Sequence, residues 1–295
     1  MVANLELYRV FYWTAREQNL SRAAERLYIT QPSVSYAIKQ LEEQLSIKLF
    51  HREARGVRLT DEGTVLFRSV EQAFNFLDSA ERHMADINGL VRGELRIGSS
   101  DSLCKYYLLP HLGTFFSDYP GIRLDLIHGT TSEIIRYVKE GRIDFGIVRL
   151  PVDDNQLVVR EATTVQDCFV AGPRYSHLAE KALHLSELIK HPIILFTKKS
   201  SSRQFIENFV AEEGLEIIPE IELASVDLLI EFAKVGLGIS FVTKQFVTKE
   251  LDNGALVELK LVEQIPSRKI GIVYLRQHQL SKASSTFIHQ YLDVL

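Results

Sequence analysis

With 295 residues and 46% hydrophobic content, the chain has room for two or three packed domains. A formal net charge of -4 argues against indiscriminate nucleic-acid binding by the whole molecule. Its 2 cysteines, Cys104 and Cys168, have no metal-like spacing and fit a reducing compartment. No terminal apolar run is long enough for a membrane span and no signal segment precedes the first helix, so the sequence reads as cytoplasmic and away from the membrane.

In chain order, Leu5, Leu7, Tyr8, Phe11, Tyr12 and Ala15 form an apolar stripe that predicts a first helix. From Leu20 to Leu45, LSRAAERLYITQPSVSYAIKQLEEQL predicts two helices joined by a tight turn. Ser21 is the expected N-cap of the first, with Ala23, Ala24 and Leu27 on its buried side. Thr30 caps the second, and Pro32 falls in its first turn, where a missing N–H costs nothing. Val34, Ile38, Leu41 and Leu45 form its buried stripe. The other side carries Pro32, Tyr36 and Lys39, flanked by Ser33, Ser35 and Gln40. This is the pattern of a helix-turn-helix whose second helix enters the DNA major groove.

Next comes KLFHREARGVRLTDEG, two short extended pieces around Gly56. Arg52 and Arg55 give this expected wing a basic tip suited to phosphates or a minor groove. Up to Thr60, nine Lys/Arg oppose six Asp/Glu, so positive charge is concentrated there, although the balance of the whole chain is negative. One such head makes few phosphate contacts and should bind weakly alone; pairing of two heads on two half-sites is the usual remedy.

The run Ala23-Ala24, Leu27, Thr30-Gln31-Pro32-Ser33-Val34-Ser35, Ile38, Leu41-Glu42, Leu45, Leu49-Phe50, Arg52 and Leu59-Thr60 closely resembles the DNA-binding head of LysR-type transcriptional regulators. The resemblance continues more loosely over the whole chain. It implies a regulator that binds double-stranded promoter DNA at a partly palindromic site, as a dimer or tetramer, and that responds to a small-molecule effector. The DNA-contact set expected on these positions is Ser21, Gln31, Pro32, Ser33, Ser35, Tyr36, Lys39, Arg52 and Arg55.

From Asp61, the residues Leu66, Val70, Ala73, Leu77, Ala80, Met84 and Ile87 alternate four and three apart. That seven-residue repeat is the mark of a two-helix seam. Phe67, Phe74 and Phe76 widen the apolar surface, and Gly89 and Gly93 supply a joint. The family resemblance makes this helix the main dimer contact, which sets the distance between the two recognition helices.

From Glu94 short strands alternate with helices, which implies an α/β sheet. Strands are expected at 95–98, 123–127 and 144–148, with helices near 106–119 and 132–140. The pattern restarts near Asp167 with strands at 168–171, 193–196, 220–223 and 239–242, and a last strand at 269–274 and helix at 284–292 return to the first lobe. The expected fold is α+β overall: a winged helix-turn-helix over 1–60, a linker helix and hinge over 61–93, and an effector domain over 94–295. Its lobes span about 94–163 with 267–295, and about 164–266, in a plan resembling periplasmic binding proteins.

Ligands in such folds sit beyond the carboxyl ends of strands, facing helix N-termini. Ser99, Ser100 and Ser102, then Thr130, then Ser200 and Ser202, and Val226 fit that placement. Converging hydroxyls and free amides favour a small anion such as a carboxylate, with Arg149 and Arg203 as candidate counter-charges. For each Ser or Thr, plain helix capping is the competing role. There is no GxSxG, no P-loop and no paired histidines, so neither an enzyme nor a metal or cofactor is expected. The rival reading is a cytoplasmic small-molecule binding protein of this two-lobed fold with no DNA function; it leaves the head and the heptads unexplained.

Overall fold

The computed structural model describes residues 4–53, 56–86 and 93–292, without the side chains of 82, 83, 85 and 86. Contacts divide the chain into two units, 1–81 and 82–295.

The first unit is helical with a small wing. It contains α1 (Leu5–Glu17), α2 (Leu20–Leu27), α3 (Gln31–Leu45), β1 (Phe50–Glu53), β2 (Gly56–Leu59) and α4 (Asp61–Asp86), which runs on past the boundary. Each of the first three helices stops at a non-glycine residue in the left-handed region: Gln18, Tyr28 and Ser46. At each, the backbone N–H turns back to the last helical carbonyls, which ends the helix without a glycine. Val10, Phe11, Ala23, Ala24, Val34 and Leu41 interlock into one core, closed by Leu49 and by Val70 from α4. The alanines matter because α1, α2 and α3 all meet there and a larger side chain would push them apart.

The N-cap of α2 is one correction to the sequence reading. Asn19, not Ser21, holds that position, its Oδ1 accepting from the amides of Ser21 and Arg22 at 2.9 and 3.2 Å. Thr30 does cap α3, accepting from the Ser33 amide at 3.4 Å.

Helix α4 divides the heptad residues between two environments. Leu66, Val70, Phe67 and Phe74 pack on the head core. Ala73, Leu77, Ala80 and Met84 are exposed, Leu77 at 47% and Met84 at 64%. Ile87 and Gly89 lie outside the described residues, and Gly93 opens the next strand.

The second unit has two five-stranded sheets. The first lobe is ordered β4 (Ile122–His128), β3 (Gly93–Ser99), β5 (Phe145–Arg149), β12 (Arg268–Leu275), β6 (Leu157–Val165). β3 pairs parallel with β4 and β5, and β12 runs antiparallel between β5 and β6. Helices α5 (Asp101–Leu103), α6 (Leu109–Asp118), α7 (Thr131–Lys139) and α12 (Lys282–Tyr291) belong to this lobe, with one π turn, Cys104–Leu108, between α5 and α6. The second lobe is ordered β11 (Val257–Leu259), β7 (Asp167–Ala171), β10 (Ile239–Thr243), β8 (Ile193–Phe196), β9 (Ile221–Leu223). It carries α8 (Leu185–Leu188), α9 (Ser201–Glu212), α10 (Val226–Val235) and α11 (Thr248–Asp252).

The chain crosses between lobes twice, at Gln166 and just before Arg268. Strands β5, β7 and β10 are buried along their whole length, as expected of strands covered on both faces. One core runs beneath both lobes, joining Leu95, Ile97 and Phe145 to Val170, Ile194 and Val242. Two strands escaped the sequence reading. β6 is an edge strand whose mixed burial shows no clean alternation, and β11 has only three residues. Burial pushes the thiols of Cys104 and Cys168 up, the second to about 12 with help from Glu258 and Asp167, which disfavours the thiolate form of both.

Candidate DNA interface and effector crevice

The polar side of α3 faces a hollow between that helix, the start of α2 and the wing. Ser35, Tyr36, Lys39 and Arg52 border its larger part, about 560 Å³ in volume, together with Lys48. Ser21, Gln31, Ser35 and Arg52 border its smaller part. Seven of the nine expected contact residues are thereby accounted for at one surface once Pro32 is added, exposed on the same first turn of α3. Ser33, also exposed there, has its hydroxyl 2.9 Å from that of Thr30. Arg55 lies outside the described residues. Gln31 Nε2 donates to Ser35 Oγ at 2.9 Å, and Lys39 lies 3.5 Å from Glu43, so both donors have local partners that DNA would have to replace.

The wing is held by a residue that the sequence reading named in the family resemblance but gave no role. Glu42 sits on the apolar side of α3 and is only 9% exposed. Its Oε1 accepts from the amides of Leu49 at 2.8 Å and Phe50 at 3.3 Å, and its Oε2 from Lys48 Nζ at 2.6 Å. Burial pushes the carboxyl pKa up, but these three hydrogen bonds outweigh it and leave the group below its ordinary value. The sequence signal was present: one carboxylate among Ile38, Leu41 and Leu45 on a buried stripe. Across the hairpin, Gly56 has φ +143°, and a Cβ there would lie 2.3 Å from the Gln18 carbonyl oxygen. The neighbouring Val57 amide donates to that same oxygen at 3.0 Å. The wing is thus tied to α3 at its root and to the α1–α2 turn at its return strand.

In the second unit a crevice of about 310 Å³ opens beyond the ends of β3, β4, β5 and β8. Ser100, Ser102, Thr130, Arg149, Ser200, Ser202 and Val226 all border it. Ser99 does not: it is fully buried inside β3, with Oγ 3.5 Å from the Ile147 carbonyl. Arg203 is buried too, and its guanidinium is taken up by Glu207, Glu222 and the Phe196 carbonyl, so it ties α9 to its own sheet instead of facing a ligand. Thr130 and Ser200 cap α7 and α9, and Thr130 forms a capping box with Glu133. The crevice also takes in His128 and Asp101, paired at 2.9 Å, and Lys199, none of which the sequence reading had singled out.

The family profile for the LysR substrate binding domain matches residues 88–295, and the profile for the bacterial regulatory helix-turn-helix protein, lysR family, matches residues 5–64. The chain belongs to the LysR family. It is a DNA-binding transcriptional regulator with an effector-binding domain, as the resemblance in its head implies. It is 29% identical to the HTH-type transcriptional activator CmpR of Synechocystis sp. over 97% of this chain and 94% of that protein. It is 28% identical to the RuBisCO operon transcriptional regulator of Allochromatium vinosum, over 97% of this chain and 95% of that one. Its fold is similar to full-length CbnR complexed with target DNA, with a TM-score of 0.70 at 17% identity, covering 98% and 99% of the two chains. These relatives are regulators, not enzymes. No described helix of this LysR-family chain is long and apolar enough to cross a membrane.

Proposed function

We propose that this LysR-family regulator reads a partly palindromic promoter site in the cytoplasm through the first three turns of α3. Ser33, Ser35, Tyr36 and Lys39 lie along the groove face, Gln31 and Pro32 enter at its start, and Ser21, Arg52 and Arg55 hold the backbone or a minor groove. The observation that carries this reading is the exposed polar face of α3 beside Arg52, in a head whose other α3 face is fully committed to its core. The exposed half of the α4 repeat pairs two chains, and two such dimers form a tetramer on DNA. A small organic anion in the crevice favours one arrangement of the dimers over another and so changes how DNA is bent; such coupling requires only a difference in the anion's affinity for the two arrangements. Selection from a randomised-site library by the wild type and by Ser35→Ala tests the readout. The expected result is a changed base preference at one position of each half-site; an identical preference profile would remove Ser35 from the readout.

A further inference from the structure

Two rows of side chains meet at the hollow beside α3. On the helix, Ser35, Lys39 and Glu42 stand four and three apart, on one ridge, and all three border the hollow. On the wing, Lys48, Phe50 and Arg52 stand two apart, the spacing that shares one side of an extended chain, and they border it as well. The hollow therefore has three cations at its border, Lys39, Lys48 and Arg52, against the single carboxylate of Glu42. That balance favours an anion.

The carboxylate itself is fully engaged. Its Oε1 accepts from the amides of Leu49 and Phe50, and its Oε2 from Lys48 Nζ at 2.6 Å. An ammonium has three hydrogens, so this bond leaves Lys48 two more to give. The Lys48 side chain is 78% exposed, whereas that of Glu42 is 9% exposed. A pair with so exposed a cation adds little to stability. What it does is hold a flexible four-carbon stem in one place before any ligand arrives, which lowers the ordering cost of a later contact.

Position selects the ligand. An α-helix rises about 1.5 Å per residue, so Glu42, with Lys48 bonded to it, lies about 10 Å along the axis from Ser35. When the first turns of such a helix read base edges in a major groove about 12 Å wide, that level meets the sugar-phosphate wall of the groove.

We propose that Lys48 is a further DNA contact, closing on one backbone phosphate at the edge of the groove, and that Glu42 is its positioning residue. This rests on the reading of the α3 face as the DNA interface. One carboxylate then serves two ends: it anchors the wing, and it aims the cation at the wing's root.

The test is binding of the full chain to a mixed-sequence DNA duplex, followed by fluorescence anisotropy over a range of salt concentrations. Lys48→Met keeps the reach of the side chain and removes its charge. It should flatten the slope of log affinity against log salt by about one unit for each head engaged, and Lys48→Arg should keep the wild-type slope. Glu42→Gln removes a negative charge beside the DNA, so charge alone would strengthen binding. The positioning role predicts the opposite, a loss of about threefold or more that shrinks in the Lys48→Met background. Loosening of the wing by Glu42→Gln would act in both backgrounds, so the double-mutant cycle separates the two effects. An unchanged slope in Lys48→Met, whatever its stability in urea, would overturn the phosphate contact. An equal loss from Glu42→Gln in both backgrounds, or tighter binding, would overturn the positioning role. If Arg52→Ala flattens the slope and Lys48→Met does not, the α3 face remains the DNA interface and only this inference is refuted. If neither changes it, the reading of that face falls as well.

Discussion

Replacing Glu42 with alanine should loosen the wing and destabilise the head by about 2–5 kcal/mol. The figure follows from the three hydrogen bonds this carboxylate accepts. The Leu49 amide is buried, and leaving such a donor unpaired costs about 1–3 kcal/mol. The Phe50 bond is longer, at 3.3 Å, and adds about 1 kcal/mol. Lys48 is 78% exposed, so its pairing with Glu42 is screened and worth about 0–1 kcal/mol. Glu42→Gln keeps one acceptor oxygen and should lose about half as much. The assay is urea unfolding followed by tryptophan fluorescence, because the chain's 1 tryptophan, Trp13, lies in α1 and reports the head alone. The pH dependence has a definite sign. A carboxyl held below its unfolded value binds fewer protons when folded, so its contribution is present above the unfolded pKa and lost as pH falls through the folded one. The gap between wild type and Glu42→Ala should therefore hold at pH 7 and narrow below about pH 4.5. A loss under about 0.5 kcal/mol at pH 7, the size of an ordinary surface change, would refute the account of how the wing is anchored.

Three further outcomes are expected. Gly56→Ala should destabilise the head by about 1–3 kcal/mol in the same fluorescence assay, because the left-handed backbone and the Gln18 carbonyl both exclude a Cβ. Leu77→Glu should shift the chain toward lighter species in analytical ultracentrifugation, because it puts a charge into the exposed half of the α4 repeat. Arg52→Ala should weaken binding to all DNA sequences and flatten the dependence of log affinity on log salt by about one unit; an unchanged slope would count against a phosphate contact.

Local signals carried most of what the sequence revealed. The head was legible because apolar periodicity, the Thr30 cap and Pro32 agree on one reading of α3, and the structure has each where the pattern puts it. The Asn19 cap was missed because Asn and Ser stand two apart and either could cap; only the backbone decides which is extended. The heptads gave the helix but not its allegiance, since Leu66 and Val70 satisfy the same spacing while packing on their own head. In the second unit, alternation gave the lobes and both crossings, yet β6 was read as connection because an edge strand need not alternate. The crevice hydroxyls were legible from strand-end loops. The buried hydrogen bonds that join Arg149, Thr243, Asp167 and Arg268 were not, because these residues are distant in sequence and meet only when the lobes form. A single charge opening an otherwise apolar strand, as at Asp167, was the available hint.

The most direct test of the whole account is selection of genomic DNA fragments by the purified full chain, at stated salt, with and without a small-molecule extract. The account predicts enrichment of a partly palindromic segment upstream of one or a few operons, with a footprint that changes when the extract is added. Recovery no better than bulk DNA in both conditions would contradict it.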